Sequence, residues 1–277
     1  IATPLALEKP ITENGGEIWR NTPVTEVIIE NGVAKGVKYK KDGVEQTLLA
    51  DNVICTIPPK YLFQVLPENA FPAEWVNFMR DEHWGIGLLT GWVGTKRSIV
   101  EDIGIDKTSF IWMPGITTPE EGFIGVVDMV MCEFDSWKDG EADRAPEGKT
   151  EYLFSTALTD KEMRDPERVN LVIERCEAWA RATFPNWDED VEFILWTPSP
   201  EALGTYRPIG TERPTHKNPY VEGLWLAGDQ YGEKCWGCGV DFAVLSGIVC
   251  VDKMMGTNFE EELFPPHHRG LPIESAE

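Results

Sequence analysis

The stretch Gly223-Leu-Trp-Leu-Ala-Gly-Asp229, followed after a short loop by Gly237-Cys-Gly-Val-Asp-Phe-Ala-Val-Leu-Ser-Gly247, decides the fold. The apolar run from Leu224 to Ala227 is flanked by turn residues, which is typical of a short strand buried on both faces. From Val240 to about Met255 the chain is apolar nearly all the way round, which indicates a buried helix. The sequence therefore predicts a strand, a loop and a helix.

This connection has the features of a ligand site. Asp229 follows the carboxyl end of the predicted strand, where open α/β sheets bind their ligands, and a carboxylate there accepts hydrogen bonds from a sugar or polyol. Gly237 and Gly239 allow a close approach of the backbone, and the first amides of the following helix favour an anionic or electron-rich group. An ordinary strand-to-helix connection without a ligand would show the same pattern.

The motif resembles the C-terminal flavin signature of FAD-dependent amine oxidases and phytoene desaturases: Gly-Leu-x-x-Ala-Gly-Asp, a loop, then a helix with Ala243 and Ser246-Gly247. The resemblance implies that Asp229 holds the ribityl or pyrophosphate part of FAD and that the helix N-terminus faces the flavin ring. Phe242 stands where the family usually has Gly, which would keep the backbone farther from the ring. The cofactor contacts implied are Val24, Gly228, Asp229, Gly239, Val240, Asp241 and Ala243.

The N-terminal part predicts a β-meander. Asn31-Gly32 and Asp42-Gly43 are placed as tight hairpin turns. The order of these strands up to Ile-Pro-Pro59 is similar to the same flavoenzymes, in which the residue at Val24 pairs its backbone with adenine. The predicted strands are Glu17–Arg20, Val24–Ile29, Ala34–Tyr39, Glu45–Ala50 and Asp51–Ile57.

The remaining chain alternates strands and helices. Asp165 is a good N-cap and Pro166 suits the first position of the clearest helix, which reaches Phe184.

A loop over 200–220 carries Arg207 and Arg213, and the acidic tail from Asn258 is expected to wrap the surface or dock on a partner. The other helices are predicted over residues 1–14, Tyr61–Leu66 and Pro72–Arg80. The other strands are predicted over Gly85–Gly94, Phe110–Met113, Phe123–Phe134, Tyr152–Leu158 and Val191–Trp196, with an exposed loop at 135–150.

Composition narrows the classes of function. The 277 residues carry a formal net charge of −22, which argues against nucleic acid and anionic membrane surfaces as partners. No apolar run is long enough to cross a membrane. Six scattered cysteines fit a reducing compartment, so a cytoplasmic location is expected. Eleven Trp and twelve Phe suit both core packing and a cavity for a small apolar or aromatic substrate.

We predict an α/β (α+β) fold: part of a Rossmann-like FAD-binding domain with an inserted mixed-sheet substrate domain. The FAD-binding parts are expected at 1–60 and 206–257, the substrate domain at 61–205 and a tail at 258–277. The Gly-x-Gly-x-x-Gly turn that holds the pyrophosphate in such domains does not occur in this sequence. Either a longer protein or a second polypeptide is therefore expected to supply the pyrophosphate-binding half of the FAD site. The chain alone is not expected to hold FAD tightly.

A flavin would supply hydride chemistry, removing hydride from a C–N or C–C bond. The stretch His83-Trp-Gly-Ile-Gly-Leu-Leu89 lacks the Lys that amine-oxidising relatives often carry, which favours desaturation or another C–C oxidation. Tyr206, Arg207 and Tyr231 are catalytic candidates by position.

The segment Cys235-Trp-Gly-Cys238 has two alternative interpretations. Its two cysteines could relay electrons from the flavin as a dithiol, or its small residues could only fit the chain around the cofactor. Asp241 is similar to the Glu that the family has at this point of the helix. It also fits the simpler role of a favourable negative charge at the positive end of the helix dipole. No metal site is expected. The competing function is a non-catalytic interaction subunit that has lost flavin binding.

Overall fold

The computed structural model describes residues 2–80, 86–104, 111–114, 128–134, 145–203, 213–232 and 239–263. The chain divides into two compact units. One comprises Ile1–Asp81, Arg213–Lys234 and Val244–Glu277, and the other comprises Glu82–Glu212 and Cys235–Ala243. The roles predicted for the two parts, FAD binding and substrate binding, stay predictions.

The described residues form helices and both parallel and antiparallel sheets. The helices are α1 (Ala2–Glu13), α2 (Ala73–Arg80), α3 (Asp160–Met163), α4 (Pro166–Thr183), α5 (Trp187–Asp190), α6 (Gly239–Met255) and α7 (Phe259–Leu263). The strands are β1 (Val24–Glu30), β2 (Val33–Lys41), β3 (Val44–Leu49), β4 (Val53–Cys55), β5 (Ile86–Thr95), β6 (Ile111–Pro114), β7 (Asp128–Phe134), β8 (Thr150–Leu158), β9 (Val191–Leu203) and β10 (Leu224–Leu226). Short 3-10 helices cover Pro59–Gln64, Glu68–Ala70 and Val100–Ile103.

The first unit contains the predicted meander, with β1, β2 and β3 paired in antiparallel order. Asn31 and Gly32 form one hairpin turn with φ of +51° and +76°, and Asp42 and Gly43 form the other with φ of +52° and +78°. Both central residues of a type I′ turn need positive φ, which explains why Asn-Gly and Asp-Gly occupy these turns. The predicted hairpins are confirmed.

A two-stranded parallel sheet pairs β4 with β10, with Ile54 opposite Trp225. The other edge of β10 is covered by the preceding loop, since Lys217 forms an antiparallel bridge with Trp225. All three residues of β10 are buried, as the apolar run predicted. The core of this unit also includes Val27, Leu62, Leu66, Met79, Leu224, Leu226 and Tyr231.

The second unit is built on a five-stranded sheet in the order β6-β7-β8-β5-β9, with every pairing antiparallel. Helix α4 begins as predicted, because the Asp165 side chain accepts the amides of Glu167 and Arg168 and Pro166 occupies the first turn. Its apolar face joins a core that includes Leu89, Val93, Tyr152, Phe154, Val172, Cys176, Ala180, Phe184 and Trp187.

Several predicted boundaries were wrong. Glu17–Arg20 is not a strand; Trp19 instead packs beside Tyr39, with ring centroids 5.2 Å apart. Strand β4 covers only three of the seven residues predicted for it. The predicted tail begins with helix α7, because the Asp252 carboxylate accepts the amides of Phe259 and Glu260.

Helix α6 is not buried all round, since Val244 and Met255 are 44% and 66% exposed. Predicted residues at 81–85, 110, 123–127, 135–144 and 204–212, and those beyond 263, lie outside the described part of the chain. No helix that the structure describes is long and apolar enough to cross a membrane.

Candidate functional site

The turn at Gly228 and Asp229 lies directly beyond the carboxyl end of β10. The amide of Ala227 donates to the carbonyl of Cys55 at 3.1 Å, so the parallel pairing continues up to the turn. Gly228 has a φ of +141°, in the region that favours glycine. Its amide donates a 2.9 Å hydrogen bond to the hydroxyl of Ser246 in α6. This bond fastens the turn to the helix.

Asp229 is partly exposed at this turn. Its carbonyl accepts a hydrogen bond of 3.0 Å from Nη1 of Arg213, so a residue of the preceding loop holds the main chain that carries the carboxylate. A partly exposed carboxylate at the end of a parallel strand is well suited to accept hydrogen bonds from sugar or polyol hydroxyls. The structure therefore places Asp229 where the sequence predicted it and adds Arg213 as a supporting residue.

The side chain of Tyr231 is buried, with 1% exposure. Its hydroxyl donates to the carbonyl of Ile57, and its amide donates to the carbonyl of Gly228 at 3.1 Å. Burial first, and then the nearby Cys55, raise the pKa of the phenol well above its ordinary value. These contacts favour a positioning role for Tyr231, and its catalytic role stays a prediction.

His216 supports the same turn from the preceding loop. The amide of Leu226 donates to the His216 carbonyl at 2.7 Å, and the ring Nδ1 lies 3.0 Å from the Leu226 carbonyl. A Cβ added to Gly232, which has a φ of +115°, would lie only 2.9 Å from Nε2 of His216. Sequence reasoning missed His216, because a single His in a Pro- and Thr-rich loop carries no pattern. It also gave Ser246 no role, although Ser246 stood in the signature.

Helix α6 opens at Gly239, which has a φ of +75°. Val240 and Asp241 are exposed and Ala243 is partly exposed, whereas Phe242 is 3% exposed. The Phe242 ring therefore does not form the surface of the first turn, and the expected greater distance between this backbone and the flavin ring stays a prediction. These residues group with the second unit.

Val24 begins β1 opposite Tyr39 and is 42% exposed. It opens onto a groove of about 470 Å³ on the meander. The lining residues are Glu17, Trp19, Thr22, Val24, Val37, Tyr39 and Leu48. The residue that the resemblance assigns to adenine thus borders an aromatic groove, and its role stays a prediction.

Other predicted candidates fall outside the residues that can be described: Tyr206, Arg207, Cys235 and Cys238. Cys55, Cys176 and Cys250 are buried free thiols. Burial raises the pKa of Cys176 to about 12 and of Cys250 to about 11, so these thiols are poor nucleophiles at neutral pH. Over the described ranges, no group of His, Cys, Asp and Glu could hold a metal ion.

The Gly228–Asp229 turn fits a flavin nucleotide in three respects. A Cβ added at Gly228 would lie 3.5 Å from the Tyr231 ring, in ordinary van der Waals contact, so glycine leaves more room beside this backbone than a larger residue would. The Asp229 carboxylate is partly exposed next to it. Gln230 is buried, and its Oε1 has no hydrogen-bond partner among the residues described. This oxygen can therefore accept a hydrogen bond from a donor bound beside the turn.

Comparison with known proteins identifies the family. The model of the family described as flavin-containing amine oxidoreductase matches residues 2–255. A phytoene desaturase (neurosporene-forming) from Cereibacter sphaeroides is 26% identical over 145 residues, which are 43% of this chain and 27% of that protein. These matches confirm the resemblance that the signature indicated.

Solved structures share the fold. An oxidoreductase from Methanosarcina mazei superposes with a TM-score of 0.62 at 22% identity, over 89% of this chain and 52% of that one. Putrescine oxidase gives a TM-score of 0.55 at 14% identity, over 90% of this chain and 52% of the other. These likenesses confirm the predicted fold class. The chain spans about half the length of these structures and 27% of the desaturase.

Proposed function

This chain belongs to the family of flavin-containing amine oxidoreductases, and on that basis we propose that it forms part of an FAD-dependent oxidoreductase. The proposed reaction is removal of hydride from a small apolar or aromatic substrate, by C–C desaturation or C–N oxidation. The observation that carries this proposal is the Gly228–Asp229 turn at the carboxyl edge of β10, fastened to Ser246 of α6.

In the proposal, Asp229 accepts hydrogen bonds from the polyol part of FAD, and Gly228 leaves room for its approach. Arg213 holds the main chain of Asp229, which limits how far the carboxylate can move. Gly239, Val240 and Asp241 contribute the first turn of α6, whose amides lack partners within the helix and favour electron-rich groups, and Ala243 follows in the second turn. When bound, the flavin supplies the hydride chemistry.

Desaturation or another C–C oxidation is the favoured form of the reaction. The stretch before and into β5 has no Lys, whereas amine-oxidising relatives often carry one there. Asp241, Tyr206 and Arg207 stay candidates for polar roles near the cofactor.

We propose that the pyrophosphate of FAD is held by a Gly-x-Gly-x-x-Gly segment that this sequence does not contain. Support comes from the matched structures, of which this chain covers 52%. A longer polypeptide or a companion chain would provide that segment. The 277 residues alone would therefore bind FAD weakly.

The test is the flavin content of the native assembly compared with that of the isolated chain. The assembly should be yellow, and the nucleotide released on denaturation should be FAD. The isolated chain should retain less than about a tenth of the flavin, since loss of the phosphate contacts would cost more than about 1.4 kcal/mol. A colourless assembly would support the competing function, a non-catalytic interaction subunit, whereas a fully flavinated isolated chain would refute the need for a second segment.

A further inference from the structure

The turn after β10 carries two neighbouring polar side chains. The amide of Tyr231 donates to the carbonyl of Gly228 at 3.1 Å, which closes a β-turn with Asp229 and Gln230 at its central positions. Asp229 is partly exposed, whereas Gln230 is only 4% exposed. The proposed function uses the carboxylate of Asp229 and gives the carboxamide of Gln230 no role.

The carboxamide oxygen of Gln230 is buried without a partner. Among the residues that the structure describes, no donor lies within hydrogen-bond distance of its Oε1. Native proteins satisfy most of their buried polar atoms, because an acceptor that loses water and gains no donor destabilises the folded chain. An unsatisfied acceptor in the same turn as the Asp229 carboxylate therefore indicates that a bound ligand supplies the donor.

The main chain on both sides of Gln230 is held by the preceding loop. Nη1 of Arg213 donates to the carbonyl of Asp229 at 3.0 Å, and the amide of Gly232 donates to the carbonyl of Pro214 at 2.9 Å. These bonds limit how far the backbone of the turn can shift. The acceptor of Gln230 is therefore preorganised, and little ordering is left for the binding step.

We propose that Gln230 is a second polyol-binding residue: its Oε1 accepts a hydrogen bond from the ribityl hydroxyl next to the one that Asp229 accepts. The Cα atoms of adjacent residues are about 3.8 Å apart, so one turn can offer two acceptors to neighbouring hydroxyls of a single chain. The pair selects the ribityl part of FAD over its pyrophosphate, because ionised phosphate oxygens have no proton to donate and are repelled by a carboxylate. This inference rests on the proposed function and specifies which part of the cofactor lies at the turn.

Gln230→Met tests the proposal through two effects of opposite sign. Methionine has a similar length and volume and no oxygen. The melting temperature of the flavin-free native assembly should rise by about 2–4 °C, because an apolar group replaces an unsatisfied buried acceptor. The dissociation constant for FAD should rise roughly 5- to 30-fold, because the bound hydroxyl loses its acceptor.

The control is Gln64→Met, at an exposed glutamine that ends the 3-10 helix Pro59–Gln64, and it should change neither quantity. A glutamine with a purely structural role would lose stability when its carboxamide is removed. A lower or unchanged melting temperature of Gln230→Met, or an unchanged dissociation constant for FAD, would therefore overturn the inference.

Analogues of FAD that each lack one ribityl hydroxyl identify the donor. The wild-type assembly should bind at least one analogue more than about fivefold more weakly than FAD, and Gln230→Met should bind that same analogue as tightly as FAD. Losses that simply multiply would overturn the inference. An FAD affinity that falls in Asp229→Ala but not in Gln230→Met would contradict this inference alone, whereas an assembly that binds no FAD would contradict the proposed function as well.

Discussion

The amide of Gly228 and the hydroxyl of Ser246 are joined by a 2.9 Å hydrogen bond that spans 18 residues of sequence. This bond connects the turn after β10 to the second turn of α6. Both groups belong to the first unit, and Ser246 is buried. The position of the Asp229 carboxylate therefore depends on a side chain that has no contact role in the predicted cofactor site.

Ser246→Ala should lower the free energy of unfolding by about 1–2 kcal/mol, because the amide of Gly228 loses its partner in a partly buried place. Thr215→Ala, which removes an exposed hydroxyl that donates to the Lys217 carbonyl, should cost less. Urea denaturation of both variants measures the difference. Equal losses would show that the Gly228 bond does not stabilise the turn.

Tyr231→Phe should lower stability by about 1 kcal/mol, since the Ile57 carbonyl loses its hydrogen bond, while turnover and its pH profile stay unchanged in the assembly. Tyr220→Phe is the matched control on an exposed ring. Thermal unfolding and a pH–rate profile separate the two effects. A loss of turnover beyond a hundredfold with an altered pH profile would instead assign Tyr231 to acid–base catalysis.

Alkaline pH should destabilise the second unit through Cys176, whose pKa burial raises from 9.0 to about 12. Above pH 9 the unfolded thiol releases its proton and the folded thiol keeps it, so stability falls by up to about 1.4 kcal/mol per pH unit until the folded pKa is reached. Cys176→Ala should reduce this slope between pH 8 and 10.5, while the buried Cys250, whose pKa is raised to about 11, keeps its own share. Val172→Ala, on the same buried helix face, should lower stability without changing the slope, and an unchanged slope in Cys176→Ala would disprove the assignment.

If the Cys235–Cys238 pair only shapes the loop, replacing both residues by Ser should leave turnover of the assembly within about twofold of wild type. The reason is that serine keeps the size of the side chain and removes its redox chemistry. Steady-state rates with an artificial electron acceptor and with the natural acceptor test this. A tenfold loss confined to the natural acceptor would support the dithiol relay.

Local sequence signals predicted the elements that depend on a few neighbouring residues. Asn31-Gly32 and Asp42-Gly43 specify type I′ turns by their positive φ values, and Asp165 caps α4 through its own carboxylate. The strand before Asp229 was predicted from the apolar run Leu224 to Ala227. The helix after it was predicted from the nearly continuous apolar residues between Val240 and Met255. In each case the information lies within one element.

Tertiary contacts explain what the sequence did not predict. The sequence predicted a strand that ends at Trp196 and a loop over 200–220, yet β9 continues to Leu203. Strand β9 is at the edge of its sheet, where proline removes no pairing on the open side, and Pro198 lies opposite Leu89 of β5. The supporting contacts of His216 and Ser246 also join distant segments, so no local pattern could indicate them.

The most direct test of the account is FAD titration of the native assembly carrying Asp229→Ala, with Glu45→Ala, an exposed carboxylate on β3, as the control. Lost hydrogen bonds to a carboxylate are worth about 1.5–3 kcal/mol, so the dissociation constant for FAD should rise roughly 10- to 150-fold in Asp229→Ala and stay unchanged in the control. Flavin fluorescence during titration of the apo-assembly measures both constants. Equal affinities for wild type and Asp229→Ala would contradict the central claim that this turn holds the cofactor.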